Sequence, residues 1–387
     1  MYLFSNNKEE CCGCKVCATI CPKQCISFSE DDETFVFPNR NLEQCINCHL
    51  CESICPVSVI NQNDKRLPIS SYVGIHKDVV IVNNSSSGGA FSAICEYLCS
   101  IGFKIYGTIL NEKLQCVVED SESIGGYSQF CKSKYIQSDT NGCFEKIKAD
   151  LLLNKRVLFS GTPCQCFALK GFLKKKQIIF NENNLIYVDI LCHGVPSQTL
   201  FDNYIKELEE KNDDVVLDFV FRNKKKINNI VNSRSVEVIY KRKKELHDIV
   251  SCSYLRGYHT RLFYRLSCYN CPFASATRVS DLTLGDAWGV EDIYPSLQSL
   301  KGVSLILVNT KNGENILGKI NMNLLPIDLQ WAISSNDTLR NSTKMHPKRN
   351  KFLKYYSKKG FTKAVKRYSI PPLYKRVINK CIRFIQR

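Results

Sequence analysis

Hydrophobic and polar residues change period several times along the 387 positions of this chain, and each change marks a predicted element. Ile26-Ser27-Phe28-Ser29 and Thr34-Phe35-Val36-Phe37 alternate on either side of the polar stretch Glu30 to Glu33, which predicts a β-hairpin. Pro68 and Ser70-Ser71 read as a linker. Beyond about residue 72, strand-like and helix-like stretches take turns. Ser85 to Gly89 opens an apolar helix from about Ala90 to Ile101, Gly102 ends it, and Lys104 to Leu110 reads as a strand. A further strand, Arg156 to Ser160, breaks at Gly161-Thr162-Pro163-Cys164-Gln165 into a helix that closes in Lys174 to Lys176. Leu185 to Leu191 is almost continuously apolar, as in a strand buried on both faces of a parallel sheet. It leads into an amphipathic helix through Glu210. The repeated order predicts βαβ units. Phe219-Val220-Phe221 and Val236 to Tyr240 read as an antiparallel excursion within residues 215–250. Near the end, Tyr374, Val377, Ile378, Cys381, Ile382 and Ile385 share a helical face opposite Lys375, Arg376, Lys380, Arg383 and Arg387.

Composition adds two points. Hydrophobic content of 44% and charged content of 23% suit a soluble globular chain of two or three domains, and no apolar run is long enough to span a membrane. The net charge of +16 is concentrated at one end. Residues 340–387 hold sixteen Lys or Arg and no Asp or Glu, which leaves 37 basic against 37 acidic residues elsewhere. This reads as an appended basic helical tail, suited either to an anionic membrane surface or to packing on the body with its charges solvated. Nucleic acid is not expected, because no recognition motif accompanies the charge.

The chemistry lies in the cysteines. Cys11-x-x-Cys14-x-x-Cys17-x-x-x-Cys21-Pro22 recurs as Cys45-x-x-Cys48-x-x-Cys51-x-x-x-Cys55-Pro56. A C-x-x-C-x-x-C loop places three thiolates on one iron–sulfur cube, and the fourth cysteine, before its proline, reaches the other cube. The expected wiring is Cys11, Cys14, Cys17 and Cys55 on one [4Fe–4S] cluster, with Cys45, Cys48, Cys51 and Cys21 on the second. Structural zinc is the alternative, but zinc sites favour two C-x-x-C pairs rather than this tandem spacing. Such thiolate ligation needs a reducing compartment, and Cys11 lies too near the N-terminus to leave room for a signal peptide. A cytoplasmic, oxygen-sensitive electron carrier is expected.

Outside residues 1–68, Cys164 and Cys192 each follow a predicted strand, and Cys268-x-x-Cys271 adds a pair. Strand ends converge on the crevice of an open parallel sheet, so these four could form a third cluster site or be ordinary core cysteines. Ten others (Cys12, Cys25, Cys95, Cys99, Cys116, Cys131, Cys143, Cys166, Cys252 and Cys381) read as packing residues. Ser85 to Gly89, at a helix N-terminus, suits a cofactor phosphate or a plain serine cap.

Several ordered motifs then resemble the coenzyme F420 hydrogenase/dehydrogenase β-subunit family. They are Ser86-Ser87-Gly88-Gly89-Ala90-Phe91-Ser92, Ser133-Lys134-Tyr135, Gly161-Thr162-Pro163-Cys164-Gln165, Cys192-His193-Gly194-Val195-Pro196-Ser197, Cys268-x-x-Cys271 and Ser280 to Gly289. The likeness covers roughly residues 1–310. It implies FAD in the α/β domain, near Ser86, Ser87, Gly88, Gly89, Ser133, Lys134, Tyr135, Thr162, Gln165 and Asp286. It also implies a third [4Fe–4S] cluster on Cys164, Cys192, Cys268 and Cys271. The catalytic candidates are His193, which could donate a proton or a hydrogen bond to flavin or be structural beside a cluster ligand, and Lys134, which could contact flavin or phosphate or be a solvated loop lysine. Asp281 reads equally as a cofactor-orienting residue or a turn cap, and Trp288 as core. The fold expected is an α+β ferredoxin-like dicluster module (1–68) fused to an α/β flavin-binding domain with a β-rich insertion (69–339) and a basic helical tail (340–387). The function implied is an iron–sulfur flavoprotein oxidoreductase between a ferredoxin-like donor and a small organic acceptor. The alternative is an electron-relay β subunit docked on a partner redox subunit of a larger complex. In either case the tail could hold the chain at the inner face of the membrane.

Overall fold

The computed structural model of the chain describes residues 1–60, 65–123, 125–140, 142–224, 226–227, 230–231, 235–297 and 302–369, with backbone alone at 226–227 and 230–231. Strands β1 (Ile26–Glu30) and β2 (Val36–Arg40) pair antiparallel, Ile26 opposite Arg40. The hairpin therefore forms, but its turn is longer than alternation predicts. Asp31 Oδ1 accepts from the amides of Glu33 and Phe35 at 3.0 and 2.8 Å, which pulls Phe35 out of the second strand and into the core. An aspartate that satisfies two turn amides outweighs the strand preference of one phenylalanine.

Ser70 and Ser71 are not a linker. They open β3 (Ser70–His76), where the buried Ser71 hydroxyl donates to Ile327 O at 2.6 Å. The chain continues through β4 (Phe103–Leu110), β5 (Cys116–Ser121), β6 (Arg156–Gly161) and β7 (Leu185–Ile190). An excursion follows, with β8 (Val216–Asn223), β9 (Lys226–Ile227), β10 (Ile230–Val231), β11 (Ser235–Tyr240) and β12 (Lys244–His247). Strands β13 (Leu282–Asp286), β14 (Ser304–Val308) and β15 (Met322–Pro326) complete the main sheet in the order β15-β3-β14-β13-β7-β6-β4-β5. Its middle four strands, β13-β7-β6-β4, are parallel, as the βαβ pattern predicts. Both flanks are antiparallel.

Alternation on β6 and β7 shows how the layers form. Val157, Phe159, Leu185 and Tyr187 face the helices Cys143–Leu152 and Pro163–Lys175; Leu158, Ile186 and Val188 face the helices Ala90–Ser100 and Lys311–Leu317. Val16, Ile20 and Ile54 of the N-terminal module join the first of these cores. That module therefore shares a core with the sheet domain. A third core joins Phe201 and Tyr204, β8 and β11, and the helices Arg349–Lys359 and Phe361–Ser369 through buried Phe352, Phe361, Ala364 and Val365. The first part of the basic tail is thus a packed element. Glu207 caps its second helix, accepting from the amides of Phe361 and of Thr362, the latter at 2.8 Å. The amphipathic stretch Tyr374 to Ile385 and Cys381 lie outside the described residues. Among the described residues, no helix is long and apolar enough to cross a membrane.

Candidate cluster and cofactor site

The tandem motifs fold so that cysteines distant in sequence influence one another. Burial pushes the Cys17 thiol upward, with the charges of Cys11 and Cys55 adding to it. A hydrogen bond from Cys12 pulls Cys14 down, yet burial and the charges of Cys55 and Cys17 hold it above the ordinary value. Cys55 is raised by burial, with Cys11 contributing. Cys11, Cys14, Cys17 and Cys55 are thereby brought to one place, across 44 residues of sequence. Cys21, Cys45, Cys48 and Cys51 line a second small cavity. Cys25, read as packing, also lines it, with its sulfur 3.4 Å from that of Cys21. Cys48 is exposed, with exposed Leu42 and Ile46 nearby in sequence.

A third set, Cys164, Cys192, Cys268 and Cys271, lines a cavity of about 530 Å³. Burial and the charges of Cys164 and Cys271 push Cys192 up to about 12; burial and Cys164 push Cys271 up to about 11. Cys268 is raised by burial, then by Cys192 and Cys271. Four thiols on the wall of one cavity are a donor set that a metal cluster takes as thiolates, so their chemistry fits such a group. Among the described residues, no three Cys, His, Asp or Glu side chains close on a single metal ion. Four cysteines are the donor set of a [4Fe–4S] cube and also of a structural zinc site.

The same cavity is lined by Ser86, Ser87, Gly89, Ser133, Lys134, Tyr135, Thr162, Gln165, His193 and Asp286. Gly88 is a correction: it does not line the cavity. A Cβ there would lie 2.4 Å from Gly74 O and 2.7 Å from Ser304 N, so this glycine serves the sheet. The turn is braced from outside, because Ser133 N donates to Ser86 Oγ at 2.8 Å and Ser87 Oγ donates to Val303 O at 2.8 Å. Thr162 and Gln165 form a capping box: Thr162 N donates to Gln165 Oε1 at 2.9 Å, and Gln165 Nε2 donates to Ser138 Oγ at 2.9 Å. Lys134 Nζ donates to the carbonyls of Gln129 and Cys131 at 3.0 and 2.8 Å, while burial pulls its pKa down to about 8. His193 is drawn below its ordinary value by burial and then by Arg261; its carbonyl accepts from Thr343 Oγ1 at 2.5 Å. Asp286 accepts from Arg222 at 2.8 Å. Asp281 does not line the cavity; it accepts from Tyr187 N of β7 at 2.8 Å and from Thr310 Oγ1, at the start of the helix Lys311–Leu317, at 2.5 Å. Trp288, read as core, is instead 41% exposed and lines the cavity.

Cys12, expected as a packing residue, lines the cavity, as do Arg222, His259, Arg261 and Arg278, which the sequence did not single out. Arg278 is buried and donates to Asp189 at 2.9 Å. Cys12 enters the wall from the first cysteine loop; the other four carried no local motif and enter it through β8, the helix Ser253–His259 with the turn after it, and the loop before β13.

Comparisons with known proteins match two segments of the chain. Residues 154–325 match the model for the C terminus of the coenzyme F420 hydrogenase/dehydrogenase beta subunit, a span that includes Cys164, Cys192, Cys268 and Cys271. Residues 38–61 match the 4Fe-4S binding domain, which covers the second cysteine motif and not the first. No curated protein matches. Among solved structures, a chain of the F420-reducing [NiFe] hydrogenase complex from Methanosarcina barkeri is similar over 73% of this chain and 93% of that one, at 14% identity and a TM-score of 0.46. Over residues 154–325 this chain is thus similar to the C-terminal domain of the coenzyme F420 hydrogenase/dehydrogenase beta subunit, and a segment similar to a 4Fe-4S binding domain lies ahead of it.

Proposed function

We propose that the chain is an iron–sulfur flavoprotein oxidoreductase, serving a low-potential donor such as ferredoxin and a small organic acceptor. Three cysteine quartets would hold [4Fe–4S] clusters: Cys11, Cys14, Cys17 and Cys55; Cys21, Cys45, Cys48 and Cys51; and Cys164, Cys192, Cys268 and Cys271. FAD would sit in the large cavity, against the turn at Ser86, Ser87 and Gly89. One observation carries the reading: the third quartet and that turn open onto the same cavity of about 530 Å³. When bound, the clusters supply one-electron and the flavin two-electron chemistry.

The chain's own residues hold the site in shape. Ser133 and Ser304 fix the turn, Gln165 caps the helix that presents Cys164, and Arg222 orients Asp286 toward the wall. His193 and Lys134 are the candidates for proton handling. Lys134, bound to two carbonyls, serves first to shape the wall. Tyr135, Tyr258 and Leu255 give the cavity an apolar, aromatic side.

The alternative, an electron-relay beta subunit of a larger complex, is favoured by the second quartet. Exposed Cys48, with Leu42 and Ile46 close by in the chain, offers an apolar face on which a redox partner could dock. The stretch beyond residue 369 is proposed to attract an anionic membrane surface at the cytoplasmic side.

Anaerobic purification with iron, sulfide and flavin quantification tests the reading. About twelve irons and one FAD per chain are expected, four irons for each cube. Iron without flavin, with co-purifying hydrogenase or dehydrogenase subunits, would favour the relay; a chain without iron would sink both.

A further inference from the structure

Arg265 is one of the largest fully buried side chains, with 1% of its surface exposed. Its guanidinium Nε donates to Cys11 O at 2.6 Å, and Nη1 donates to Gln137 Oε1 at 3.0 Å. Nη2 donates to Val36 O at 2.8 Å and lies 3.4 Å from Cys11 Sγ. The group also lies over the rings of Phe37 and Phe35, at 4.3 and 5.5 Å from their centroids. Arg278 and Arg349, equally buried, face the carboxylates of Asp189 and Glu33. Among the described residues, none of the ion pairs includes Arg265. Its acceptors are two backbone carbonyls, one amide oxygen and the sulfur of Cys11, and only the sulfur could carry a charge as a cluster ligand.

A buried charge without a counter-charge is strongly destabilising, whereas a hydrogen bond to an ionised acceptor is among the stronger kinds. The arrangement is therefore stable when Cys11 is a thiolate on an anionic centre. The backbone agrees with it. Gly13, between Cys12 and Cys14, has φ +72°, and a Cβ there would lie 2.2 Å from Gln137 Nε2 and 2.9 Å from Arg265 Nη1. Gln137 Nε2 in turn donates to Cys12 O at 2.9 Å. The main chain of Arg265 belongs to the third quartet's surroundings: its amide donates to Val195 O, and its carbonyl accepts from Cys268 N, both at 2.9 Å. One residue thus touches a ligand of the first quartet with its side chain and frames the third with its backbone.

We propose that Arg265 is the buried counter-cation of the cluster on Cys11, Cys14, Cys17 and Cys55, and that it raises that cluster's reduction potential. The inference rests on the cluster assignment above. A fixed positive charge favours the reduced, more negative form, and hydrogen bonds to cluster sulfur act in the same direction. Potential is a readout that a merely structural arginine would leave unmoved.

The test is an anaerobic redox titration of the full chain followed by electron paramagnetic resonance, with iron counted for each preparation. In Arg265→Gln, one cluster should keep its iron but show at least a tenfold lower reduced-to-oxidised ratio at a fixed potential, about 59 mV for a one-electron couple. The other clusters should titrate as before, and Arg265→Lys should recover part of the shift. Should Arg265→Gln fail to fold, Gln137→Glu decides. Its carboxylate would neutralise the guanidinium in place and lower the same midpoint. Wild-type clusters whose potentials neither variant moves would overturn the role of Arg265 alone. Wild-type protein lacking the two ferredoxin-type clusters would overturn the cluster assignment, and this inference with it.

Discussion

Arg349 and Glu33 stand 316 positions apart in sequence and form a two-pronged ion pair, with Nη1 and Nη2 of the arginine donating to Oε1 and Oε2 of the glutamate at 3.1 and 2.5 Å. Nη2 also donates to Tyr264 O at 3.2 Å. The pair ties the hairpin turn of the N-terminal module to the C-terminal helices and to the loop that precedes Arg265. Packing of the clusters' host module thus depends on a residue from the basic tail.

Glu33→Gln leaves the Arg349 guanidinium buried without its counter-charge. Breaking such a pair costs about 3 kcal/mol or more. Anaerobic denaturant unfolding should show that loss. A midpoint equal to wild type would mean that solvent screens the pair.

The tail divides into a packed part and a remainder with a separate expected role. Phe352→Ala and Phe361→Ala each empty a fully buried site and should cost about 3–5 kcal/mol by thermal unfolding. Removing residues 370–387 should instead leave the described cores intact and abolish binding to anionic liposomes at low salt. Intact protein that ignores such liposomes would end the membrane proposal.

Gly88→Val should fail through the sheet. The added side chain meets Gly74 O and the Ser304 amide before any cavity contact, so the variant should be poorly soluble or strongly destabilised. Any folded fraction should keep the wild-type ratio of flavin to iron. Stable protein that had lost only flavin would place Gly88 at the cofactor after all.

Replacing Cys268 and Cys271 together with Ser should remove about four irons per chain and leave two ferredoxin-type spectra. Unchanged iron content would show that the third quartet holds no cluster.

Lys134 sets a pH test. Burial lowers its pKa from the ordinary 10.5 to about 8, so between those values the unfolded chain keeps a proton that the folded chain has released. Stability therefore rises with pH across that window, by up to about 1.4 kcal/mol per unit, and the gain is absent below about pH 8. Lys134→Met should flatten this slope in thermal unfolding scans. An unaltered slope would show that the carbonyls of Gln129 and Cys131 keep the ammonium charged.

Much of this protein was legible in its sequence, because the features concerned are local. Cysteine spacing and the following prolines specify the tandem loops. The nearly continuous apolar run at Leu185 to Leu191 marks a strand, found at Leu185–Ile190, and the break at Gly161 to Gln165 marks a strand-to-helix turn with its own cap. Each depends on neighbours a few residues away, where period and propensity act directly. The Ser70-Ser71 reading failed because two serines look like a loop until Ile327 arrives to accept a hydrogen bond. Trp288 failed similarly, since an aromatic residue after a strand is core only if something covers it.

What tertiary structure alone decided is which distant groups share a charge environment. Arg265 has no motif, and its meaning comes from Cys11 at 3.4 Å, more than 250 residues away. Arg349 looked like one of sixteen tail cations until Glu33 singled it out, and Gly88 looked like a cofactor glycine until Gly74 came within reach. A buried charge or a missing Cβ is explained by the atoms that close around it, and chain folding supplies those atoms from positions that no sequence window spans.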